Sequence, residues 1–451
     1  MKRVSSRSLS DRLGALPLVA LLLFSAGAFR SSSAQSPPSK FEIERGRLML
    51  ADMKMDLKKS YYDPTFHGVD IEARFQEADE KIKQATSLGQ IFGTIATFLM
   101  RLNDSHTVFL PPRRSYRTEY GWKMMTIGDK NYVVAVRPGS DAETKGLKPG
   151  DQVYAVDGVR QTRQNFWVFS YLYNRLQPRP AVRMAIIKPD GKQEQIEVLA
   201  KVKQGKQIKD MTIEHGDSDI FDVIFEQEAE ERLFRQRYVE MSDDLFIWKM
   251  PVFDLPKERV DDLADKFRNK KNLIIDLRGN GGGYEETLLR LIGNLFDHDV
   301  KVGDITTRKG PKPLVAKTRG DKVFKGNLAV LIDSDSGSAA ELLARVVQLE
   351  KRGKVIGDLS AGAVMRSRFH RHQVGADIEV YYGASITEAD VVMTDGKSLE
   401  HAGVIPDEVR LPSASDLAAN RDPVLAYAAS LVGVNLTPEK AGSLFPLEWL
   451  K

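Results

Sequence analysis

The sequence predicts an α/β protein: a main domain built on a mostly parallel sheet, preceded by a helical cap and a small β-rich domain. Three observations predict this. From Leu245 onward, apolar strands ("LFIWKM", "NLIIDLR", "LAVLID", "KVIGD") alternate with amphipathic helices ("PKERVDDLADKFRN", "EETLLRLIGNLF", "AAELLARVVQLE"), the pattern of a parallel sheet covered on both faces. Ahead of it, Leu48, Met53 and Leu57, then Ile71, Phe75 and Ala78, then Ile91, Ile95, Phe98 and Leu99 recur at helical spacing. Between these regions, residues 120–202 switch to short β-branched runs separated by glycine–proline turns.

At 451 residues and 42% hydrophobic, the chain can hold two or three domains with cores of their own. It has no cysteine, which excludes a disulfide scaffold, a thiolate metal site, a cysteine nucleophile and a lipidated cysteine. The formal charge of +4 sits in residues 1–34, where Lys2, Arg3, Arg7, Arg12 and Arg30 face only Asp11. The remainder is neutral and gives no argument for nucleic acid as a partner. The same segment reads as a secretory signal, with the apolar run "LGALPLVALLLFSAGAF" followed by small residues that put Ser32 and Ala34 at a cleavage site. A membrane anchor is the competing reading; the run is short for a span and contains Pro17. The expected organisation is a signal over 1–34, a helical cap over 35–115, the β-rich domain over 116–204, the α/β core over 205–412 and a tail with one helix, "DPVLAYAASLV", over 413–451. Export would deliver a protein without stable membrane insertion to the periplasm or the extracellular space. Residues 205–244 are polar and acidic and receive no element, and nothing in the chain fixes an oligomeric state.

Within the β-rich region, "RPGSDAETKGLKPGD" followed by "VYAVDG" resembles the PDZ domain, in which a short helix, a turn and a strand lead into a hairpin. That resemblance implies peptide binding by strand addition, with Tyr120, Gly121 and Trp122 as the amide loop for a terminal carboxylate. A β-module that binds nothing is the alternative.

Three features could carry chemistry at strand ends. The first is "IIDLRGNGGGYEE", whose four glycines in five positions free the backbone to aim N–H groups at an oxyanion. It lacks the lysine of a phosphate loop, and a tight strand-to-helix turn is its plain reading. The second is Ser338, between "LAVLID" and a helix, where its hydroxyl would project beside the Ala339 amide. Ser338-Ala339-Ala340-Glu341 also spells a capping box, so the serine reads either as cap or as nucleophile. The third is His106 in the loop "RLNDSHTVFLPP", alone no more than one of seven histidines.

Together, "LIIDLRGNGGG", "SGSAAE", "VIGD" and "GKSLEHAGVIPDEV" occur in the order found in C-terminal processing (tail-specific) proteases, which the chain resembles over residues 41–412. The resemblance implies a crotonase-like (ClpP-like) α/β core, with Ser338 as nucleophile. Gly282, with Gly281 and Gly283 as near alternatives, and Ala339 would supply the oxyanion amides. Most of that family places a lysine after the "VIGE" strand. Here Ala363 stands at that place, and no lysine occurs between Lys354 and Lys397. The tricorn core protease branch instead pairs a Ser-His dipeptide of the cap with the core serine, supported by a glutamate in a motif like E-x-x-G-V-x-P-D. "NDSHT" and "EHAGVIPD" match both parts. The resemblance thus implies His106 as general base, oriented through Ser105 and Glu400.

Histidine suits that task because it titrates near neutrality. His370 and His372 in "FHRHQ", and His401, are the other candidates for the base. No third ligand of recognisable spacing joins the pair in "HRH", so neither a metal nor a cofactor is expected. The leading expectation is an exported serine endopeptidase cutting unfolded or extended polypeptides through an acyl-enzyme on Ser338. The alternative is a catalytically inactive protease fold that holds peptides or apolar ligands.

Overall fold

The computed structural model describes residues 37–112, 116–204, 235–241, 243–374, 380–447 and 449. The signal-like segment and residues 205–234 of the acidic stretch lie outside the described residues. The chain opens with α1 (Lys40–Ser60), α2 (Ile71–Lys83) and α3 (Leu88–Met100). Each begins on a side-chain cap: Ser39, Asp70 and Ser87 accept first-turn amides. Met49, Leu50, Met53 and Leu57 of α1 pack against Ile82, Ile91, Ile95 and Leu99. The helical periodicity of the sequence is the imprint of this shared face, except that Leu48 lies off it, exposed to solvent.

After the loop that carries His106 come β1 (Val108–Leu110) and β2 (Tyr116–Glu119). A β-rich unit follows: β3 (Trp122–Ile127), β4 (Lys130–Val136), α4 (Asp141–Thr144), β5 (Gln152–Val156), β6 (Val159–Arg160), α5 (Phe166–Tyr171), β7 (Ala181–Ile187), β8 (Gln193–Leu199) and β9 (Lys201–Gln204). Its sheet runs β3-β4-β5-β7-β8, which leaves β3 at an edge.

The core comprises β10 (Arg237–Glu240), β11 (Leu245–Lys249), α6 (Lys257–Phe267), β12 (Asn272–Asp276), α7 (Glu285–Leu295), β13 (Val300–Thr307), β14 (Gly310–Ala316), β15 (Asn327–Ile332), α8 (Ala339–Leu349), β16 (Lys354–Gly357), β17 (Met365–Val374), β18 (Val380–Met393) and β19 (Glu408–Val409). Strands β11, β12, β15, β16 and β19 are parallel neighbours, and β10 closes one edge antiparallel. Alternation along each strand sorts the side chains. Phe246, Trp248, Leu273, Ile275, Val330 and Val355 join one core with α6, α7 and α8. Leu245, Ile247, Ile274, Leu331 and Ile356 face the other way. That second face is covered by the C-terminal segment, through Val424, Leu425, Ala428, Leu436 and Ala441.

Two features differ from the sequence expectation. The tail holds three helices, α9 (Ala414–Ala418), α10 (Pro423–Leu431) and α11 (Pro438–Leu444), where one was expected. The other two are too short for a helical period to show. A second, antiparallel sheet, in which β18 pairs with β1, β13 and β17 and β13 with β14, was not foreseen. Strand β17, "MRSRFHRHQV", is half-exposed and crowded with Arg and His, so it carries no apolar run to announce it. This sheet matters to function because β1 pairs with residues 383–385 of β18 and so anchors the cap loop to the core.

The β-rich unit is tied to the core at one polar knot. Arg163 donates to Gly128 O at 2.8 Å, Leu359 O at 3.0 Å and Asp358 Oδ2 at 2.6 Å. Asp358 also accepts the Gly128 N–H, and Ser334 Oγ donates to Thr126 O. Arg163→Ala leaves Asp358 largely unpaired and is expected to weaken this docking by about 2–3 kcal/mol. Hydrogen exchange checks it: the Gly128 amide should exchange about tenfold faster or more while the β12 and β15 amides keep their protection.

Candidate active site

The ends of β12, β15 and β16 lie in parallel register, so the loops that follow them emerge side by side. They are residues 277–284, 333–338 and 358–364.

Ser338 sits where β15 has ended and α8 begins, at φ 51° and ψ −116°. This left-handed backbone is rarely adopted by an L-residue and costs on the order of 1–3 kcal/mol, so the surroundings must hold it. They do. The Ser338 N–H donates to Ala363 O at 2.8 Å and to Glu341 Oε2 at 3.0 Å. The capping box expected from the sequence is therefore lopsided: the return bond from Glu341 is well made, while Ser338 Oγ sits over the Glu341 amide without a tight bond. The serine keeps a hydroxyl to spare.

The glycine loop is pressed against it. Gly282 has φ 107°, and a Cβ there would lie 2.6 Å from Ser338 Cβ and 3.2 Å from Ala339 N. The Gly282 N–H is occupied, donating to Asn280 Oδ1 at 2.8 Å. Among the described residues the N–H groups of Gly281, Gly283 and Ala339 make no hydrogen bond, so the open donors flank Gly282 and include Ala339. Asn280, fully buried, is the organiser: its Nδ2 donates to Met250 O, and its carbonyl takes the N–H of Gly337, the residue before the serine. Asn280 carries no recognisable motif; its one signal in the sequence is an asparagine amid four glycines.

Glu341 was read only as a cap, and it does more. Fully buried, its carboxylate accepts from Ser360 Oγ at 2.6 Å, Gly362 N at 2.8 Å, Ala363 N at 2.9 Å and Ser338 N at 3.0 Å. Burial raises its pKa, and these bonds pull it back. The next amide along, Val364 N–H, donates to Glu400 Oε2 at 2.8 Å.

Glu400 leads to the cap. Its Oε1 accepts the Ser105 N–H at 2.7 Å, and its Oε2 accepts the Ser105 hydroxyl at 2.8 Å. Ser105 Oγ lies 2.7 Å from His106 Nδ1. The Ser105 hydroxyl has one hydrogen, and a carboxylate can only accept, so that hydrogen goes to Glu400. Nδ1 must then carry the proton shared with Ser105, and Nε2 keeps a free lone pair. Burial lowers the His106 pKa below the ordinary histidine value, while the Glu400 and Asp104 charges oppose that. No hydrogen bond joins the ring to Ser338 in this structure.

The other candidates lie elsewhere or are engaged. His370 and His372 face Asp56 of α1, His372 Nε2 at 2.7 Å from its Oδ2. His401 is half-exposed with its Nε2 2.7 Å from Asn103 O. Tyr120, Gly121 and Trp122 lead into the edge strand β3; Gly121 has φ 75°, and its carbonyl accepts from Arg137 N. Among the described residues no group of three or more His, Asp or Glu is arranged to hold a metal, and no helix is long and apolar enough to cross a membrane.

Comparison with known proteins gives relatives for the chain. Residues 247–410 match the model of Peptidase family S41. The chain is 25% identical over 282 residues to the tail-specific protease of Haemophilus influenzae, covering 59% of this chain and 38% of that protein. It is 22% identical over 292 residues to the carboxy-terminal processing protease CtpA of Bacillus subtilis, covering 62% and 54%. The chain thus spans about half or less of the length of these two relatives. Among solved structures, mature CPAF superposes with a TM-score of 0.62 at 15% identity, over 84% of this chain and 95% of that one, and so shares its fold.

The contact between Gly282 and Ser338 yields a direct test. Gly282→Ala places a methyl group against Ser338 Cβ at a φ that disfavours any side chain. The variant is expected to fold, and labelling of Ser338 by a fluorophosphonate should fall about 100-fold or more. Labelling within about threefold of wild type would show that the loop does not shape the serine site.

Proposed function

We propose, from the match of residues 247–410 to the model of Peptidase family S41, that the protein is a serine endopeptidase with Ser338 as nucleophile and His106 as general base. The observation that carries the reading is the relay Glu400–Ser105–His106, which fixes the proton on Nδ1 and leaves Nε2 basic. In this reading Nε2 takes the Ser338 hydroxyl proton as Oγ attacks a peptide carbonyl. The oxyanion that forms is met by the Ala339 N–H and an open amide of the glycine loop. The imidazolium returns its proton to the leaving amine, and water enters by the reverse path to release the acyl group. Glu400, acting through Ser105, holds the tautomer and stabilises the imidazolium.

The substrate class is an unfolded or extended polypeptide. Edge strand β3 offers unpaired backbone groups to an incoming strand, with Tyr120, Gly121 and Trp122 at its start as the seat of a terminal carboxylate, in the manner of a PDZ domain. The basic and apolar N-terminal segment supports export to the periplasm or the cell exterior. Ala363 leaves no lysine at the usual family position, and the Ser-His-Glu set of the tricorn branch takes its place.

A fluorophosphonate should label the wild type and not Ser338→Ala. His106→Ala should lose about 1,000-fold or more in labelling rate, and Glu400→Gln about 10–100-fold. A wild type that is never labelled and never cuts an unfolded protein would mean that the fold serves as a peptide-binding scaffold.

The active form needs neutral His106, whose pKa burial depresses. Activity is therefore expected to fall on acidification only below the ordinary histidine range and to stay flat above it. A rate that rises only above about pH 9, indifferent to His106→Ala, would rule out the histidine base.

A further inference from the structure

The carboxylate of Asp104 is buried, at 9% exposure, and has no cation. Among the described residues no Lys, Arg or His forms an ion pair with it, and its Oδ2 accepts no hydrogen bond. The other oxygen is fully used. Asp104 Oδ1 accepts the His106 N–H at 3.0 Å, the Thr107 N–H at 2.7 Å and the Thr387 hydroxyl at 2.6 Å. Thr107 and Thr387, both buried, bond to each other in turn. This knot pins the His106 turn to β18 and leaves the carboxylate's other side with no cation, only the neutral hydroxyl of Tyr61.

A buried charge without a counter-ion is costly unless something compensates it. Around it lie tyrosines and further carboxylates. From the end of α1 and the turn after it comes Tyr61, whose buried hydroxyl faces the Asp104 carboxylate and makes no hydrogen bond elsewhere, with Tyr62 and Asp63 beside it. Asp390 of β18 and Glu400 of the loop after it bear on Tyr62 from the other side, and His401 Nε2 lies 2.7 Å from the carbonyl of Asn103. Arg308, the nearby cation of the β13–β14 hairpin, spends its guanidinium on the carbonyls of Leu57, Lys58 and Tyr61. The group that becomes positive within reach of Asp104 during the reaction is the His106 ring.

We propose that Asp104 fixes the His106 turn and also supplies the second negative charge that stabilises the His106 imidazolium formed when Ser338 gives up its proton. This rests on the reading of His106 as the base. Asp104 touches neither substrate nor reacting atoms; it is a positioning residue whose charge lies in place before it is needed, the arrangement that makes electrostatic stabilisation effective.

The test is the pH dependence of fluorophosphonate labelling at Ser338, which requires no knowledge of the natural substrate. Asp104→Asn keeps an acceptor for the two turn amides and removes the charge. The acid limb is expected to move down by about half a unit to one unit, because the imidazolium is less stable. The plateau rate should fall about 3- to 10-fold, because the base is weaker and its protonated form less stabilised. A purely structural role would lower the plateau without moving the limb. Asp104→Ser also preserves a turn-forming acceptor, so the charge is tested even where the asparagine variant does not fold. If both neutral variants keep the wild-type limb while His106→Ala is dead, the charge role of Asp104 falls and the base assignment stands. If His106→Ala labels at the wild-type rate, both fall together.

Discussion

The loop from Ser360 to Val364 is held by two carboxylates, and the rest of the site depends on that division. Glu341 takes the amides of Gly362 and Ala363, and Glu400 takes the amide of Val364. Three consecutive N–H groups are thereby committed, and the intervening carbonyl of Ala363 is left to receive the N–H of Ser338. The strained serine, the helix that follows it and the cap loop beyond Glu400 are all referenced to this one segment of backbone. Charge-assisted bonds of this kind are short and hard to replace. Loss of either carboxylate would leave buried amides without acceptors, which costs more than the bonds themselves contribute.

A second charged assembly holds the glycine loop from beneath. Arg278 donates to both oxygens of Asp276 and of Asp422, and its own carbonyl receives Lys249 Nζ at 2.6 Å. Burial alone would raise the Asp276 carboxyl, but the Arg278 and Lys249 charges hold it well below the usual carboxylate range. Asp422 also caps α10, so the C-terminal segment that covers the second face of the sheet is tied to the base of the glycine loop. The family match ends at residue 410, yet the helices beyond it complete the core. A parallel sheet with one bare face would not be stable in water.

How much of this was legible in the sequence depends on where each signal lies. The βα alternation from Leu245 onward is written in apolar runs that are buried on both faces, and such runs announce themselves. In the antiparallel sheet around β18, β17 is half-exposed and rich in Arg and His, while β18 is mostly buried but mixes Gly, Ser, Thr, Glu and Asp with its apolar residues, so no clean apolar period marks either strand. Ser338 and the glycine loop could be picked out because strand ends and glycine clusters are local features. Asn280 and Asp104 act through contacts with residues far away in the chain, such as Met250 and Thr387. No local pattern encodes those contacts. Glu341 was visible as a capping residue, but its bonds to residues 360–363 appear only once two strand ends lie side by side.

On the proposed reading, Ala363 marks a position where the catalytic base can change while the fold stays intact. In most of the family that the sequence resembles, this position is expected to carry a lysine as the base. In this chain the side chain is a methyl group, while the backbone retains a full set of duties: its N–H binds Glu341 and its C=O holds the Ser338 amide. The task of taking a proton can therefore move to another residue without disturbing the geometry of the nucleophile, because the two tasks reside in different atoms of the same loop. The neighbouring amide of Val364 reaches Glu400, and Glu400 reaches Ser105 and through it His106. The segment that bears no lysine is thus joined by hydrogen bonds to the proposed base. The histidine can be supplied from a cap more than two hundred residues earlier, since what must be preserved is a row of backbone donors rather than a side chain.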